Sequence, residues 1–217
     1  MGYRPLEELA MFDAVEVDDY ETAVEEIYHL GWTDGLPVIL PTPRLVQRIL
    51  DYLGRPPDEI AVNCVMAGCL PEHLPVVLAA LRAMLKERFN LNGVQATTHC
   101  AAPLLIVSGP VVEQLGFNSR DNLFAGGCRA NAAVGRAIRL ILWNIGGGRA
   151  GELDKAVLGH PGKWSYCIAE EQEWNPWGPL HGDRGFNPAE SCVTVFAGEA
   201  PHHIMTGGGY SSPDKVL

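Results

Sequence analysis

Apolar residues recur at every third or fourth position in several stretches of the chain, which is the spacing of one buried helix face. The pattern predicts five helices, over 18–30, 43–53, 71–88, 111–115 and 130–145. Aspartate and threonine N-caps, a proline in the first turn and glycines beyond the ends support these boundaries. A further apolar stretch over 60–69 fits either a strand or a buried helix.

Shorter apolar runs between these segments predict strands, at 38–40, 94–98, 104–108, 163–169 and 192–196. Alternation of short strands with helices is typical of an α/β domain, so we expect a single domain with a mixed sheet flanked by helices. The domain should span 18–199, after an N-terminal arm over 1–17. Residues 200–217 form a Gly-rich tail, and we expect it to dock on a partner because such ends rarely order alone.

Composition narrows the classes of function. The chain has 217 residues and a formal net charge of −10 without a basic stripe, so we expect neither nucleic acid nor an anionic membrane as a partner. No apolar run is long enough to span a bilayer and residues 1–10 lack a signal-peptide core, so we expect a cytoplasmic protein. Six scattered cysteines in such a chain are expected to be reduced thiols.

The strongest chemical signal is a double glycine, Gly126-Gly127, which delivers Cys128 and Arg129 to the start of a predicted helix. The first turn of a helix has unpaired N–H groups and a positive dipole end, so it attracts anions and favours a thiolate. Asn131 adds a side-chain amide to that turn. We therefore predict Cys128 as a catalytic thiolate. The binding site for an anionic substrate would be formed by Gly126, Gly127, Arg129 and Asn131. The alternative is that the glycines only shape a loop and that Cys128 serves as the helix N-cap or as a small packing residue.

A second thiol, Cys69, also stands just before a predicted helix. It is the alternative nucleophile or the second thiol of a pair. Cys64, Cys69 and His73 could instead bind iron, zinc or copper, with Cys128 or His99 as a further ligand. Their spacing is not that of a zinc finger. The simplest alternative is that these side chains serve packing and helix capping.

His99 follows the predicted strand over 94–98. Strand ends in α/β sheets are where ligands usually bind, so His99 is a candidate general base or thiol activator. The alternative is a polar strand exit without a catalytic role.

Several segments together resemble a family of uncharacterised bacterial proteins. The landmarks are GWTDGLPV at 31–38, VMAGCLPE at 65–72, RANAAVGRAIRL at 129–140, NIGGG at 144–148 and GHPGK at 159–163. The resemblance covers 18–196 and brings no settled activity with it. Members of that family are associated with a small thiol- or selenol-containing module with a U/C-Gly-Ser-Cys motif, which this sequence lacks. The resemblance therefore implies such a UGSC-type module as a separate partner subunit.

These observations predict a subunit of a cysteine-dependent enzyme that acts on a small anionic or thiol-bearing metabolite. Lyase or redox chemistry is favoured over hydrolysis, because neither a Ser-His-Asp order nor a G-x-S-x-G elbow occurs. A second subunit would complete the site. The alternatives are a metalloenzyme with Cys/His-bound iron, zinc or copper, and a non-catalytic scaffold that orients a partner.

Overall fold

A mixed three-stranded sheet lies at the centre of the described part of the chain. In the computed structural model, residues 15–52 and 58–202 are described. The strands are β1 (Ala102–Ser108), β2 (Cys167–Ala169) and β3 (Cys192–Gly198), in the order β2-β1-β3. β1 runs parallel to β2 and antiparallel to β3. The predicted α/β class with a mixed sheet is confirmed. The prediction that the 200–217 tail docks on a partner concerns residues that lie almost wholly outside the described ranges.

The other regular elements of the described chain are helices. They are α1 (Tyr20–His29), α2 (Pro43–Leu50), α3 (Asp58–Ala67), α4 (Leu74–Met84), α5 (Leu91–Gln95), α6 (Val111–Gln114) and α7 (Arg129–Asn144). A 3₁₀ turn over Pro71–His73 leads directly into α4. Among the described residues, no single helix combines the length and the apolar character needed to cross a membrane. One pair does so jointly, Asp58–Ala67 with Pro71–Met84, but it is bent by 115°.

The core lies between the sheet and α7. Side chains of β1 alternate between two faces, as a pleated strand requires. Leu105 and Val107 pack with α4 and with Val134 and Ile138 of α7. Leu104 faces the other way, into a small cluster with Tyr166. The main core is therefore a helical layer on one face of a small sheet.

The apolar pattern located the helices better than the strands. The ambiguous stretch over 60–69 is helical, as α3. Residues 38–40 and 94–98, both within the described ranges, form no strand, so those two predictions are wrong. At 94–98 the reason is local, because the Asn90 side chain accepts a hydrogen bond from the Gly93 N–H and starts the short helix α5. At 38–40 the Ile39 N–H donates to the Met66 carbonyl at the end of α3.

Gly135 allows α7 to approach β2 closely. A Cβ atom at this position would lie 2.4 Å from Ser165 Oγ and 2.8 Å from the Tyr166 nitrogen. We expect Gly135→Ala to lower the free energy of unfolding by about 1–2 kcal/mol, because overpacking outweighs the better helix propensity of alanine. Urea unfolding measures this change.

Gly126→Ala is the matched control for that substitution. A Cβ atom at Gly126 meets no atom of the described chain within 4 Å. Its effect should stay below about 0.5 kcal/mol. Equal stability of the two variants would contradict the close helix–strand contact.

Candidate functional site

A cavity of about 490 Å³ opens at the N-terminal end of α7. Three segments supply its walls: residues 70–73 before α4, residues 115–121 after α6, and residues 126–130 at the start of α7. They meet here because the start of α7 lies between the end of α3 and the loop that follows α6. Predicted site residues Gly126, Gly127, Cys128 and Arg129 all line this cavity.

Cys128 is the N-cap residue of α7. Its Sγ lies 3.1 Å from the Gly116 carbonyl oxygen and 3.0 Å from Asn131 Oδ1. Both neighbours are acceptors, so the thiol donates its proton, and a thiolate at this position would face oxygen lone pairs. Within the described residues, Sγ makes no capping bond with the first-turn N–H groups. The helix start therefore positions the thiol without solvating a thiolate directly.

Asn131 holds the loop before Cys128 in place. Its Oδ1 accepts the Asn118 N–H at 2.8 Å, and its Nδ2 donates to the Asn118 carbonyl at 3.0 Å. This double contact fixes the orientation of the amide, with the oxygen towards Cys128. Because both ends of the amide are engaged, Asn131 positions the site and has little capacity left to bind a ligand.

Arg129 supplies the positive charge of the cavity. Its Nε and Nη2 donate to the Gly68 carbonyl at 3.0 and 2.8 Å, which clamps the guanidinium over the end of α3. The remaining guanidinium N–H groups stay available. The backbone N–H groups of Arg129 and Ala130 have no acceptor in the described part of the chain. A fixed cation beside open helix N–H groups is suited to an anion.

Cys69 lies behind the cavity and is not among its described lining residues. It is 8% exposed, and its Sγ lies 3.4 Å from the Ala133 carbonyl oxygen. A hydrogen bond with the Cys64 thiol, together with burial, raises the pKa of Cys69 well above its usual value. A thiol in this state stays protonated, which makes Cys69 a poor nucleophile.

His99 stands at the other end of β1. It is exposed, and its Nε2 lies 3.1 Å from Glu199 Oε1. It precedes β1, whereas the cavity segment 115–121 follows the C-terminal end of that strand. The structure therefore does not bring His99 into the cavity with Cys128.

The histidine that does line the cavity is His73, which the sequence suggested only as a metal ligand. Its Nδ1 accepts the Leu70 N–H at 3.2 Å, as the third residue of the turn that starts α4. Burial, and then the charge of Arg129, lower the pKa of His73 below its ordinary value. The sequence carries a signal for this contact, since His73 occupies the position where a capping box places Glu or Gln.

Residues suited to a metal are not grouped in the described ranges. No set of three or more His, Cys, Asp or Glu side chains is arranged there to hold an ion. Of the suggested ligands Cys64, Cys69 and His73, the two thiols interact with each other and His73 Nδ1 is used by Leu70. The structure thus adds no support for the metalloenzyme alternative.

Two of the landmark segments contact each other. Arg136 binds Asp34 through two parallel hydrogen bonds, Nε to Oδ2 at 3.0 Å and Nη2 to Oδ1 at 2.7 Å, and donates to the Pro37 carbonyl. Trp143 Nε1 donates to the Gly31 carbonyl at 2.9 Å. The 31–38 landmark is therefore a loop held against α7, and its Asp34 has a structural role.

No protein-family model, curated protein or solved structure matches this chain. The resemblance to the bacterial family thus stays a prediction, and any function has to be argued from the cavity itself.

The Asp34–Arg136 pair should contribute strongly to stability, because their side chains are only 6% and 15% exposed. We expect Asp34→Asn and Arg136→Met each to lower the free energy of unfolding by about 3 kcal/mol, since each leaves a buried partner unpaired. In the double variant, the loss in free energy of unfolding should be smaller than the sum of the two single losses by at least about 1 kcal/mol.

The exposed pair Arg120–Glu173 provides the control cycle. Its coupling should stay below about 1 kcal/mol. If the coupling free energy between Asp34 and Arg136 is no larger than that of this surface pair, the ion pair does not hold the 31–38 loop.

Proposed function

We propose that this chain is a subunit of a cysteine-dependent enzyme that acts on a small anionic metabolite by lyase or redox chemistry, with Cys128 as its nucleophile. One observation carries the proposal: Cys128 shares a cavity with Arg129 and with the open start of α7. The cavity volume of about 490 Å³ suits a metabolite-sized ligand.

The anion-binding groups would orient the substrate. Its negative group contacts the free guanidinium N–H groups of Arg129 and the first-turn N–H groups of α7. A carbon next to that group then lies beside Cys128 Sγ. Asn131 and the Gly116 carbonyl keep the thiol in place until the reaction.

The attack needs an acceptor for the thiol proton. His73 is unsuited, because the lone pair of its Nδ1 is already used by the Leu70 N–H. Asp121 is the carboxylate among the described lining residues, and we assign it this role. In the proposed step the electron pair of Sγ forms a bond to an unsaturated carbon of the substrate, the π electrons of that carbon's double bond move to the other atom of the bond, and the thiol proton moves to Asp121, which then delivers it to that atom.

A second protein chain would complete the site. The rim of the cavity at Asp121 continues into Arg120, whose guanidinium donates to Glu171 at 2.8 Å and lies 5.7 Å from the ring centre of Trp174. Trp174 and Trp177 are 77% and 86% exposed. Exposed tryptophans are unusual outside interfaces, and this surface adjoins the cavity, so it is where we place the partner.

Charge-selective alkylation tests the nucleophile and the anion site together. The reagents are iodoacetate and iodoacetamide at low ionic strength, with each cysteine followed by mass spectrometry. The chain has a net charge of −10, so an anionic reagent should be disfavoured elsewhere on its surface. We expect the iodoacetate-to-iodoacetamide rate ratio at Cys128 to exceed that at Cys192 by about fivefold or more, the size of one helix-end interaction.

Two variants separate a specific site from general charge. Arg129→Gln should remove most of the preference at Cys128, whereas Arg88→Gln, an exposed arginine on another segment, should leave it intact. A Cys128 that reacts with neither reagent, or that shows the same ratio as Cys192, would contradict the proposal.

A further inference from the structure

His73 is a buried polar side chain at the wall of the cavity. It is 3% exposed, and its ring packs against Phe117 with the ring centres 6.3 Å apart. Its Nδ1 is engaged by the Leu70 N–H, while Nε2 has no partner among residues 15–52 and 58–202. Because His73 lines the cavity, this free nitrogen is available to a ligand bound there.

The Leu70 contact determines where the imidazole proton lies. A backbone N–H can only donate, so Nδ1 must present its lone pair, and a neutral ring then carries its proton on Nε2. The nearby guanidinium of Arg129 opposes a second proton on the ring. His73 therefore offers the cavity an N–H donor and no basic nitrogen.

Helix capping requires only an acceptor at this position. Glu or Gln at the third position of the turn would accept the Leu70 N–H equally well. A Glu would also place a negative charge at the wall of an anion site. Histidine keeps the capping contact, adds no negative charge and leaves one N–H donor over.

We propose that His73 is a binding residue for an oxyanion, a carboxylate or a phosphate, which it meets through Nε2–H opposite Arg129 and the start of α7. The inference rests on the proposed function only in taking the cavity as the ligand site. It adds a donor from a second element, the turn that starts α4. It also gives His73 the role of a neutral hydrogen-bond donor instead of the base of a thiol–imidazole pair.

The protonation state of His73 is directly measurable by NMR. The full chain is labelled with ¹⁵N-histidine, and long-range ¹H–¹⁵N spectra are recorded at pH 7 while inorganic phosphate is added. His73 is assigned as the signal that is missing in His73→Asn. We expect a neutral ring with its proton on Nε2, and an Nε2 signal that shifts in a saturable manner with phosphate.

The His73→Asn variant separates binding from folding. An asparagine Oδ1 stands where Nδ1 does and still accepts the Leu70 N–H, but no group replaces Nε2–H. We expect its phosphate affinity, followed through the backbone amides of Gly127 and Arg129, to fall by about fivefold or more, as for loss of one hydrogen bond to a charged group.

Each outcome decides the inference. The inference is overturned if the ring carries its proton on Nδ1, or if it is charged at pH 7. It is also overturned if the Nε2 signal does not shift with phosphate, or if His73→Asn binds phosphate as tightly as the wild type. If His73→Asn does not fold, His73→Gln replaces it for the assignment and for the affinity measurement. If Cys128 prefers iodoacetate but His73 does not respond to phosphate, the proposed function stands without this inference. If His73 responds to phosphate but Cys128 shows no preference for iodoacetate, the His73 site stands and the proposed function is lost.

Discussion

The close burial of α7 against β2 and α3 is the constraint on which the rest of the structure depends. Gly135 brings the helix against β2, and Arg136 one residue later fastens the 31–38 loop through Asp34. At the far end of the helix, Asn144 Nδ2 donates to Asn63 Oδ1 of α3 at 2.8 Å. With its middle and its C-terminal end fixed, α7 can present its first turn at only one place, beside the loop after α6 and the turn before α4.

That first turn gives the site a particular chemical character. The thiol of Cys128 lies between two oxygen acceptors, so a thiolate at this position would face oxygen lone pairs. Positive potential comes from Arg129 and from open helix N–H groups, beside the carboxylate of Asp121, and the Nε2–H proposed for His73 would add a further donor. In the proposed function the cavity combines a thiol nucleophile with groups that favour negative charge, which suits binding of an anion before the thiol reacts.

Sequence patterns predicted the α/β class and the position of Cys128 at a helix start, because both follow from local periodicity and local glycines. The prediction of His99 as a base rested on a strand that does not form. A strand over 94–98 would have put His99 at its C-terminal end, but Asn90 starts a helix there, so His99 precedes β1 at the end away from the cavity. His73 was considered only as a metal ligand, because the cavity that it lines is formed by segments far apart in sequence. The partnership of Asp34 with Arg136 joins residues 102 apart in sequence, which no local pattern reveals.

The most direct test of an oxyanion site at the start of α7 is anomalous diffraction from crystals soaked in selenate. Selenate has the size and charge of common oxyanions, and selenium marks its position without ambiguity. The predicted result is a strong peak in the cavity, within hydrogen-bonding distance of Arg129 and His73 Nε2 and next to Cys128. Selenate bound only at other surfaces, with none at the start of α7, would contradict the anion site on which the proposed chemistry depends.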